Sequence, residues 1–135
     1  MLHPHAVEDL RKLAIEARYA AGQIVALLEQ ARRDPVVTQT LLEHEFGRAR
    51  TDNYHVSKWQ QFWKAGYNLW RLKIWTEPSG SLPYRIVYAY EPKLLQFQVL
   101  AVVHRDFDYE IDHEVTQRVL RTYRELDFEI LRGSR

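Results

Sequence analysis

The sequence predicts an α+β fold: two N-terminal helices packed on a small twisted antiparallel sheet of three to four strands, followed by a C-terminal helix. Apolar residues recur every three or four positions over residues 6–33, the spacing that lines one face of a helix. From Asn68 the period changes to two, and two more runs rich in β-branched and aromatic residues follow, as in strands. Short connections between the runs favour an antiparallel meander.

The N-terminal region predicts a helical hairpin over residues 6–47. Its first helix is expected over residues 6–33, because Pro35 lacks an amide proton and cannot continue it. Proline suits the first turn of a new helix, so Asp34 is expected to cap a second helix that ends at Gly47. The opening stretch MLHPHAVEDL shows no strand pattern.

The middle of the chain changes from helix to strand. The polar stretch RARTDNYHV predicts an irregular segment, after which Ser57 offers an N-cap for a short helical turn ended by Gly66. Strands are expected at Leu69–Trp75, Tyr84–Tyr90 and Phe97–His104. The last two are apolar on both faces, so we expect them to be central and covered by helices.

One domain is expected over residues 1–135, since this length suits a single core. Residues 68–110 would hold the sheet and residues 112–131 the C-terminal helix. The final RGSR matches no packing pattern and predicts a frayed tail. No internal repeat or linker interrupts the chain.

The composition is typical of a folded, soluble protein, with 46% hydrophobic and 27% charged residues. The absence of cysteine excludes disulfides and thiolate chemistry and suits a reducing compartment. No apolar run approaches the roughly 20 residues of a membrane span, and the N-terminus does not resemble an export signal. We therefore expect a cytoplasmic protein without a membrane partner.

The charges are unevenly distributed, although the net charge is only +1. Residues 46–75 carry six basic side chains and a single acid, whereas residues 106–131 carry eight acids and three arginines. A basic region of this kind can attract an anionic ligand. It can equally be an ordinary patch of solvated surface.

Common cofactor and metal motifs are absent. The chain has no glycine-rich phosphate loop, no serine nucleophile elbow and no histidine pair at the helical spacing that holds zinc. The acidic stretch DFDYEIDHE lacks the glycine that a calcium loop needs at its sixth position, so it predicts a solvated turn before a helix. We expect neither a metal ion nor a cofactor.

The residues best suited to chemistry lie within or just past the predicted strands. Arg71 and Lys73 share one strand face, Arg85 begins the next strand, and Arg105 and Tyr109 follow the third. Antiparallel pairing brings Arg85 and Arg105 to the same end of the sheet. Guanidinium groups bind phosphate oxygens in bidentate fashion and stabilise the added charge of a pentavalent transition state, so the cluster suits a phosphodiester substrate.

Two interpretations of this cluster remain open. In the functional one, Tyr109 or His104 exchanges a proton with the substrate. In the structural one, the arginines pair with Glu77, Asp106 or Asp108, and the tyrosines pack at the rim of the sheet.

Three motifs in order, LWRLKIW, YRIVYAY and VVHRDFDY, resemble the RelE/ParE family of bacterial toxin–antitoxin toxins. The resemblance covers about the last half of the chain. It implies the helix-on-sheet fold and, in the RNA-cleaving branch, a site at the end of the last long strand. The family usually begins with a short strand, which this sequence does not predict.

The resemblance also implies which residues form the site, and they are Arg71, Lys73, Arg85, Arg105 and Tyr109. In the implied metal-independent reaction, the ribose 2′-hydroxyl attacks the adjacent phosphate and leaves a 2′,3′-cyclic phosphate and a free 5′-hydroxyl. Arg85 and Arg105 would hold phosphate oxygens, and Lys73 or Tyr109 would act as the base.

Further roles follow from the same resemblance. Arg71 or His104 would balance charge or protonate the leaving oxygen, and His104 matches a position that is often basic. In this RNA-cleaving interpretation, His104 and two lysines of the basic region, Lys58 and Lys64, would help to bind the RNA.

The implied partners are a cognate antitoxin protein and messenger RNA, with cleavage often on the ribosome. A related branch of the family poisons DNA gyrase without cleaving RNA. A silent member that only binds a partner protein is the third possibility, because a fold does not choose its activity.

Overall fold

A computed structural model describes residues 2–50, 52–76, 80–106 and 113–126, and it confirms the predicted α+β class. The elements in chain order are α1 (Pro4–Glu16), α2 (Arg18–Arg33), α3 (Pro35–Thr40), β1 (Tyr54–Lys58), α4 (Gln60–Trp63), β2 (Leu69–Thr76), β3 (Gly80–Glu91), β4 (Gln96–His104) and α5 (Glu114–Glu125). The four strands form one antiparallel sheet in sequence order. Within the described segments, no helix has the length and apolar character to cross a membrane.

The predicted helix over residues 6–33 is in fact two helices. At Ala17 the backbone leaves helical geometry, with φ −145° and ψ 71°, although its N–H still donates to the Leu13 carbonyl at 2.6 Å. Alanine is the strongest helix former, so no local signal marks this break. The break allows α1 to pack against both α2 and β4.

The second predicted helix begins where expected but ends early. The Asp34 carboxylate accepts the Val36 N–H at 2.9 Å, which is the predicted cap. The helix stops at Thr40, and turns then lead to Gly47. Gly47 has φ +79°, and a Cβ there would lie 1.8 Å from the Tyr54 carbonyl oxygen. Only glycine allows this approach to β1.

Strand β1 is the element that the sequence prediction missed. The prediction of an irregular segment there, with Ser57 as a helix cap, was wrong, since Ser57 lies within β1 and pairs with β2. Tyr54 and Val56 are buried, as alternation in a strand requires. On the outer edge of β1, Val56 exchanges main-chain hydrogen bonds with Glu45 and Phe46, at 2.8 and 2.9 Å.

The three predicted strands are confirmed, with β3 starting earlier than expected. The helix that the sequence placed at residues 112–131 starts at Glu114 and ends at Glu125; residues 112 and 127–131 lie outside the described residues. No strand precedes α1 among the residues described from Leu2 onwards. Instead Leu2 makes a single parallel bridge with Val99, whose carbonyl accepts the His3 N–H at 2.9 Å.

The two faces of the sheet are covered differently. On the first face, the three N-terminal helices enclose the main core, which includes Ile24, Val56, Leu72, Ile86 and Val102. On the second face, α5 covers the part nearest β4, and residues from around α4 complete the buried cluster. Its members are Trp59, Phe62, Leu69, Val87, Ala89, Leu100, Ala101, Val103, Val119, Leu120 and Tyr123. On the rest of the second face, each side chain belongs to a strand residue that alternates along its strand with residues of the main core.

A partly buried ion pair fastens α5 in this position. The Arg118 guanidinium contacts both carboxylate oxygens of Asp9 in α1, at 2.8 and 3.3 Å. Asp9 also accepts the Val102 N–H of β4 at 3.0 Å. At the other end of the contact, the Tyr123 hydroxyl accepts the buried Asn68 N–H at 3.1 Å. These bonds tie α5 to β4 and to the start of β2.

Candidate active site

The open part of the second face carries a row of polar side chains across three strands. His55 in β1 pairs with Lys73 in β2, and Lys73 pairs with Arg85 in β3. Two residues further along β1, and on the same face, Ser57 pairs with Arg71. Because directly opposed residues place their Cβ atoms about 4.5–5.5 Å apart, the register alone brings these side chains together.

These side chains line one cavity of about 230 Å³. The lining residues are Glu45, His55, Ser57, Arg71, Leu72, Lys73 and Arg85. Three of them, Arg71, Lys73 and Arg85, are residues that the sequence predicted to form the site. The structure therefore brings together the strand residues of the predicted cluster.

The charge of Lys73 is held in an unfavourable environment. Partial burial lowers the pKa of Lys73, and the neighbouring charges of Arg85 and Arg71 lower it further, while Glu45 acts in the opposite direction. Like charges are therefore concentrated here at a cost to stability. Such a cost is typical of sites that bind an anion or exchange a proton.

Arg85 is anchored in the middle of β3. Its Nη1 atom donates to the main-chain carbonyls of Leu82 at 2.8 Å and of Tyr84 at 3.0 Å. These bonds hold the guanidinium in place before any ligand binds. A donor fixed in advance needs less reorganisation when charge develops in a reaction.

A histidine and a glutamate that sequence reasoning missed complete the cavity. The Nε2 atom of His55 lies 3.5 Å from Oε1 of Glu45, whose other oxygen lies 3.2 Å from Arg48. Burial lowers the pKa of His55, the Lys73 charge lowers it further, and Glu45 opposes both. The available signal was the alternation in YHVSK, where apolar Tyr54 and Val56 alternate with polar His55 and Ser57.

Glu45 has an unusual backbone, with φ +71°. In this left-handed region a residue with a Cβ is disfavoured by roughly 1–2 kcal/mol, and glycine or asparagine is the common occupant. The hydrogen bonds between this segment and Val56 hold the conformation. A glutamate persists here although a different residue would suit the backbone better.

An aromatic side chain organises the cationic end of the cavity. The Trp75 ring stacks on His55 with centroids 5.7 Å apart and planes 9° apart. The Arg50 guanidinium carbon lies 4.3 Å from the Trp75 ring centre, and the Lys73 ammonium lies 4.6 Å from it. Cation–π attraction therefore helps to gather two cations beside the imidazole.

Other residues predicted for the site lie elsewhere. His104 packs edge-on against Tyr84, with ring centroids 5.4 Å apart, and Tyr84 contacts the main core on the first face. The side chain of His104 is therefore turned away from Arg85. His104 also lies 3.4 Å from the Asp106 carboxylate, which was one of the acids proposed as a structural partner.

Arg105 lies just past the end of β4, where its N–H donates to the Pro83 carbonyl at 2.8 Å. This bond places Arg105 at the same end of the sheet as Arg85, as the sequence predicted, and its side chain is exposed. Tyr109 lies outside the described residues, as do Glu77 and Asp108.

The two lysines predicted to bind RNA do not line the cavity. The Lys58 ammonium lies 4.4 Å from the centre of the Trp63 ring, which packs against the main core of the first face. Lys64 is exposed just after α4. The basic stretch of sequence therefore divides between the cavity and other surfaces.

No group of three histidine, aspartate or glutamate side chains within the described ranges is arranged to hold a metal ion. The comparisons of the chain with family models, with curated proteins and with solved structures found no match.

Proposed function

We propose that this chain is the toxin of a bacterial toxin–antitoxin pair and a metal-independent endoribonuclease that cleaves messenger RNA. The observation that carries the proposal is the convergence of Arg71, Lys73 and Arg85 in one cavity. These are the strand residues to which the RelE/ParE resemblance assigns the site.

The cavity suits a reaction that adds negative charge to a phosphate. The ribose 2′-hydroxyl attacks the adjacent phosphorus, and the pentavalent transition state carries more charge on its oxygens than the substrate does. Arg71 and Arg85 are placed to hold those oxygens, and Lys73 adds charge beside them. Cations fixed in advance and shielded from water stabilise such a state most strongly.

The proposed partners follow from the same function. Messenger RNA, free or on the ribosome, would enter the cavity, and the protein would act in the cytoplasm, where that substrate is found. A cognate antitoxin would neutralise the toxin by covering the Arg71 and Lys73 face or by displacing α5. Expression of the chain alone should then arrest growth, and healthy growth at high expression would contradict the proposal.

RNA cleavage tests the proposal directly. Purified protein should cleave a defined messenger RNA, free or on ribosomes, in the presence of EDTA, and leave cyclic-phosphate and 5′-hydroxyl ends. A single 2′-deoxy substitution at the cleaved position should block the reaction. Arg85→Ala and Arg105→Ala should each slow cleavage by about two to three orders of magnitude. Tyr109→Phe tests the remaining predicted residue.

Arg33→Ala is the matched control, since this arginine is 75% exposed on α2, away from the cavity. It should cleave at the wild-type rate. Melting temperatures must agree among the variants for the comparison to hold. If the wild type leaves RNA intact but blocks gyrase supercoiling, the gyrase-directed branch replaces this proposal. If it does neither yet binds a partner protein, the silent interpretation replaces it.

A further inference from the structure

The imidazole of His55 is held from two sides. One ring edge meets the Glu45 carboxylate, with Nε2 and Oε1 3.5 Å apart. The ring face stacks on Trp75 with planes only 9° apart. The stacking sets the plane of the ring, and the carboxylate lies beside Nε2 without a hydrogen bond to it. A carboxylate beside an imidazole stabilises the imidazolium formed when the ring accepts a proton.

His55 faces the same cavity as the phosphate-binding cations. It lies directly opposite Lys73, and Lys73 lies directly opposite Arg85. All three line the cavity. A phosphate held by Arg85 would therefore lie in the same cavity as the imidazole, on the face of the sheet where a neighbouring ribose could meet it.

The fold itself does not explain why residue 45 is a glutamate. Its φ of +71° favours glycine or asparagine, and the main-chain bonds to Val56 would form with any residue. The carboxylate contacts are what only an acid supplies, and they join Glu45 to His55 and Arg48. Residues with an unfavourable backbone conformation occur frequently at functional positions, where the side chain is required.

The charges around His55 favour a neutral ring at neutral pH. Burial lowers the pKa of His55, and Lys73 in β2 and Arg48 in the turns after α3 lower it further. Glu45, in the same turns, raises it. A neutral imidazole can accept a proton, whereas a protonated one cannot.

We infer that His55 is the general base of this cavity and that Glu45 is the residue that positions it. The inference rests on the proposed function and replaces Lys73 and Tyr109 as the candidate bases. His55 takes the proton of the ribose 2′-hydroxyl, and the 2′-oxygen forms a bond to phosphorus. The bond from phosphorus to the 5′-oxygen breaks, and that oxygen takes a proton from the Lys73 ammonium.

The experiment is a pH profile of single-turnover cleavage of one messenger RNA, free and on ribosomes. For the wild type, the rate should rise tenfold per pH unit at acidic pH and then level off. His55→Asn should remove that slope and lower the plateau by about 100- to 1,000-fold. Glu45→Gln should lower the plateau by about tenfold and move the acidic limb to lower pH, because the variant no longer stabilises the imidazolium.

Two control variants separate this role from general effects of charge or of histidine. Glu43→Gln removes an exposed acid two residues from Glu45, and it should keep the wild-type profile. His113→Asn replaces the histidine that caps α5 by accepting the Val115 N–H, and asparagine is a good cap. This variant should also keep the profile.

Binding and folding measurements identify the step that is lost. His55→Asn and Glu45→Gln should bind RNA carrying a 2′-deoxy group at the cleaved position within about threefold of the wild type, whereas Arg85→Ala should bind it more weakly. Glu45→Asn should melt no lower than the wild type, because asparagine tolerates a positive φ, yet it should cleave as slowly as Glu45→Gln.

The outcomes distinguish the inference from the function on which it rests. If the wild type cleaves RNA and Arg85→Ala does not, but His55→Asn retains the acidic slope, the inference is wrong and the proposed function stands. Loss of cleavage in Glu43→Gln equal to that in Glu45→Gln would also overturn the inference. If the wild type cleaves RNA neither free nor on ribosomes, both fall.

Discussion

The second face of the sheet has two halves that differ in cover and in chemistry. Under α5, the strands present Val87, Ala101 and Val103, which are buried against Leu120 and Tyr123. Beside them, β1, β2 and β3 present a partly exposed row of cations and a histidine. The 12-residue helix α5, together with Trp59 and Phe62 from around α4, covers the first half and leaves the other to polar side chains.

The two halves therefore differ in how they contribute to the stability of the fold. The covered half gains free energy from buried apolar surface, at roughly 25 cal/mol per Å². The open half concentrates like charges around Lys73 and holds Glu45 at a positive φ, and both features cost stability. Truncation in the covered half should therefore lower stability and leave cleavage unchanged. Removal of a charge from the open half should raise stability and slow cleavage.

The largest expected effect is the loss of cleavage in Lys73→Met. Removing this cation should slow cleavage by about two to three orders of magnitude, or about 3–4 kcal/mol. The same change should raise the free energy of unfolding by roughly 0.5–1 kcal/mol, because repulsion from Arg85 and Arg71 is relieved. Cleavage assays and urea titrations measure the two effects.

Lys12→Met is the control for that comparison, because Lys12 is exposed on α1. It should change neither quantity by more than about 0.5 kcal/mol. A marked loss of stability in Lys73→Met would show that this lysine supports the sheet.

Next in size is the destabilisation of the covered half by Leu120→Ala. Leu120 is 3% exposed, so truncation should lower the free energy of unfolding by about 3 kcal/mol through lost burial and a residual cavity. Cleavage per folded molecule should stay within about twofold of the wild type. Chemical denaturation and an active-fraction-corrected rate check the two halves of this prediction. Arg121→Ala, at the next and exposed position, should have little effect on either.

A smaller effect is expected from pH. The pKa of His55 is lowered in the folded protein by burial and by Lys73, so the unfolded chain binds more protons as the pH falls below the ordinary histidine pKa of about 6.5. Stability should be fully present above that pH and decline below it. His55→Asn should make the decline shallower. His3, whose pKa is also lowered, first by burial and then by His5, contributes in the same direction.

The double variant of His3 and His55 to asparagine checks the assignment in thermal melts from pH 7.5 to 5. In the double variant, stability should decline less steeply with falling pH than in either single variant. A decline of unchanged steepness would assign acid sensitivity to other groups.

The smallest effect is expected from Lys64→Ala. Lys64 is exposed and lines no part of the cavity, and charges beyond about 8 Å are largely screened at physiological salt. RNA binding should weaken by about twofold or less, whereas Arg71→Ala should weaken it much more. Titration of fluorescent RNA at two salt concentrations measures both. Equal losses would extend the binding surface beyond the open half.

Much of the fold was predictable because its signals are local. The alternation in LWRLKIW and the apolar runs after it predicted three of the four strands. Asp34 followed by proline predicted a helix start that the structure confirms. The break at Ala17 and strand β1 were not predictable in this way, because the first has no weak helix former and the second has only two buried residues in five.

Only part of the candidate site could be predicted from the sequence, and for the same reason. Arg71, Lys73 and Arg85 could be placed together because neighbouring strands and their period of two determine that juxtaposition. His104 could not be placed, because the register pairs it with Tyr84 and so turns it to the first face. His55 and Glu45 were missed because they belong to the unpredicted strand and to the turns beside it.

By itself, the sequence determined the class of the fold, the three long strands and the cluster of cations on them, since each depends on periodicity and on short connections. The tertiary structure alone decided that α5 covers one half of a sheet face and leaves the other open. It also decided that Glu45 meets His55 across a strand edge. The proximity of these residues depends on strand register, on the positive φ of Glu45 and on the length of α5. Local sequence patterns do not determine any of these three properties.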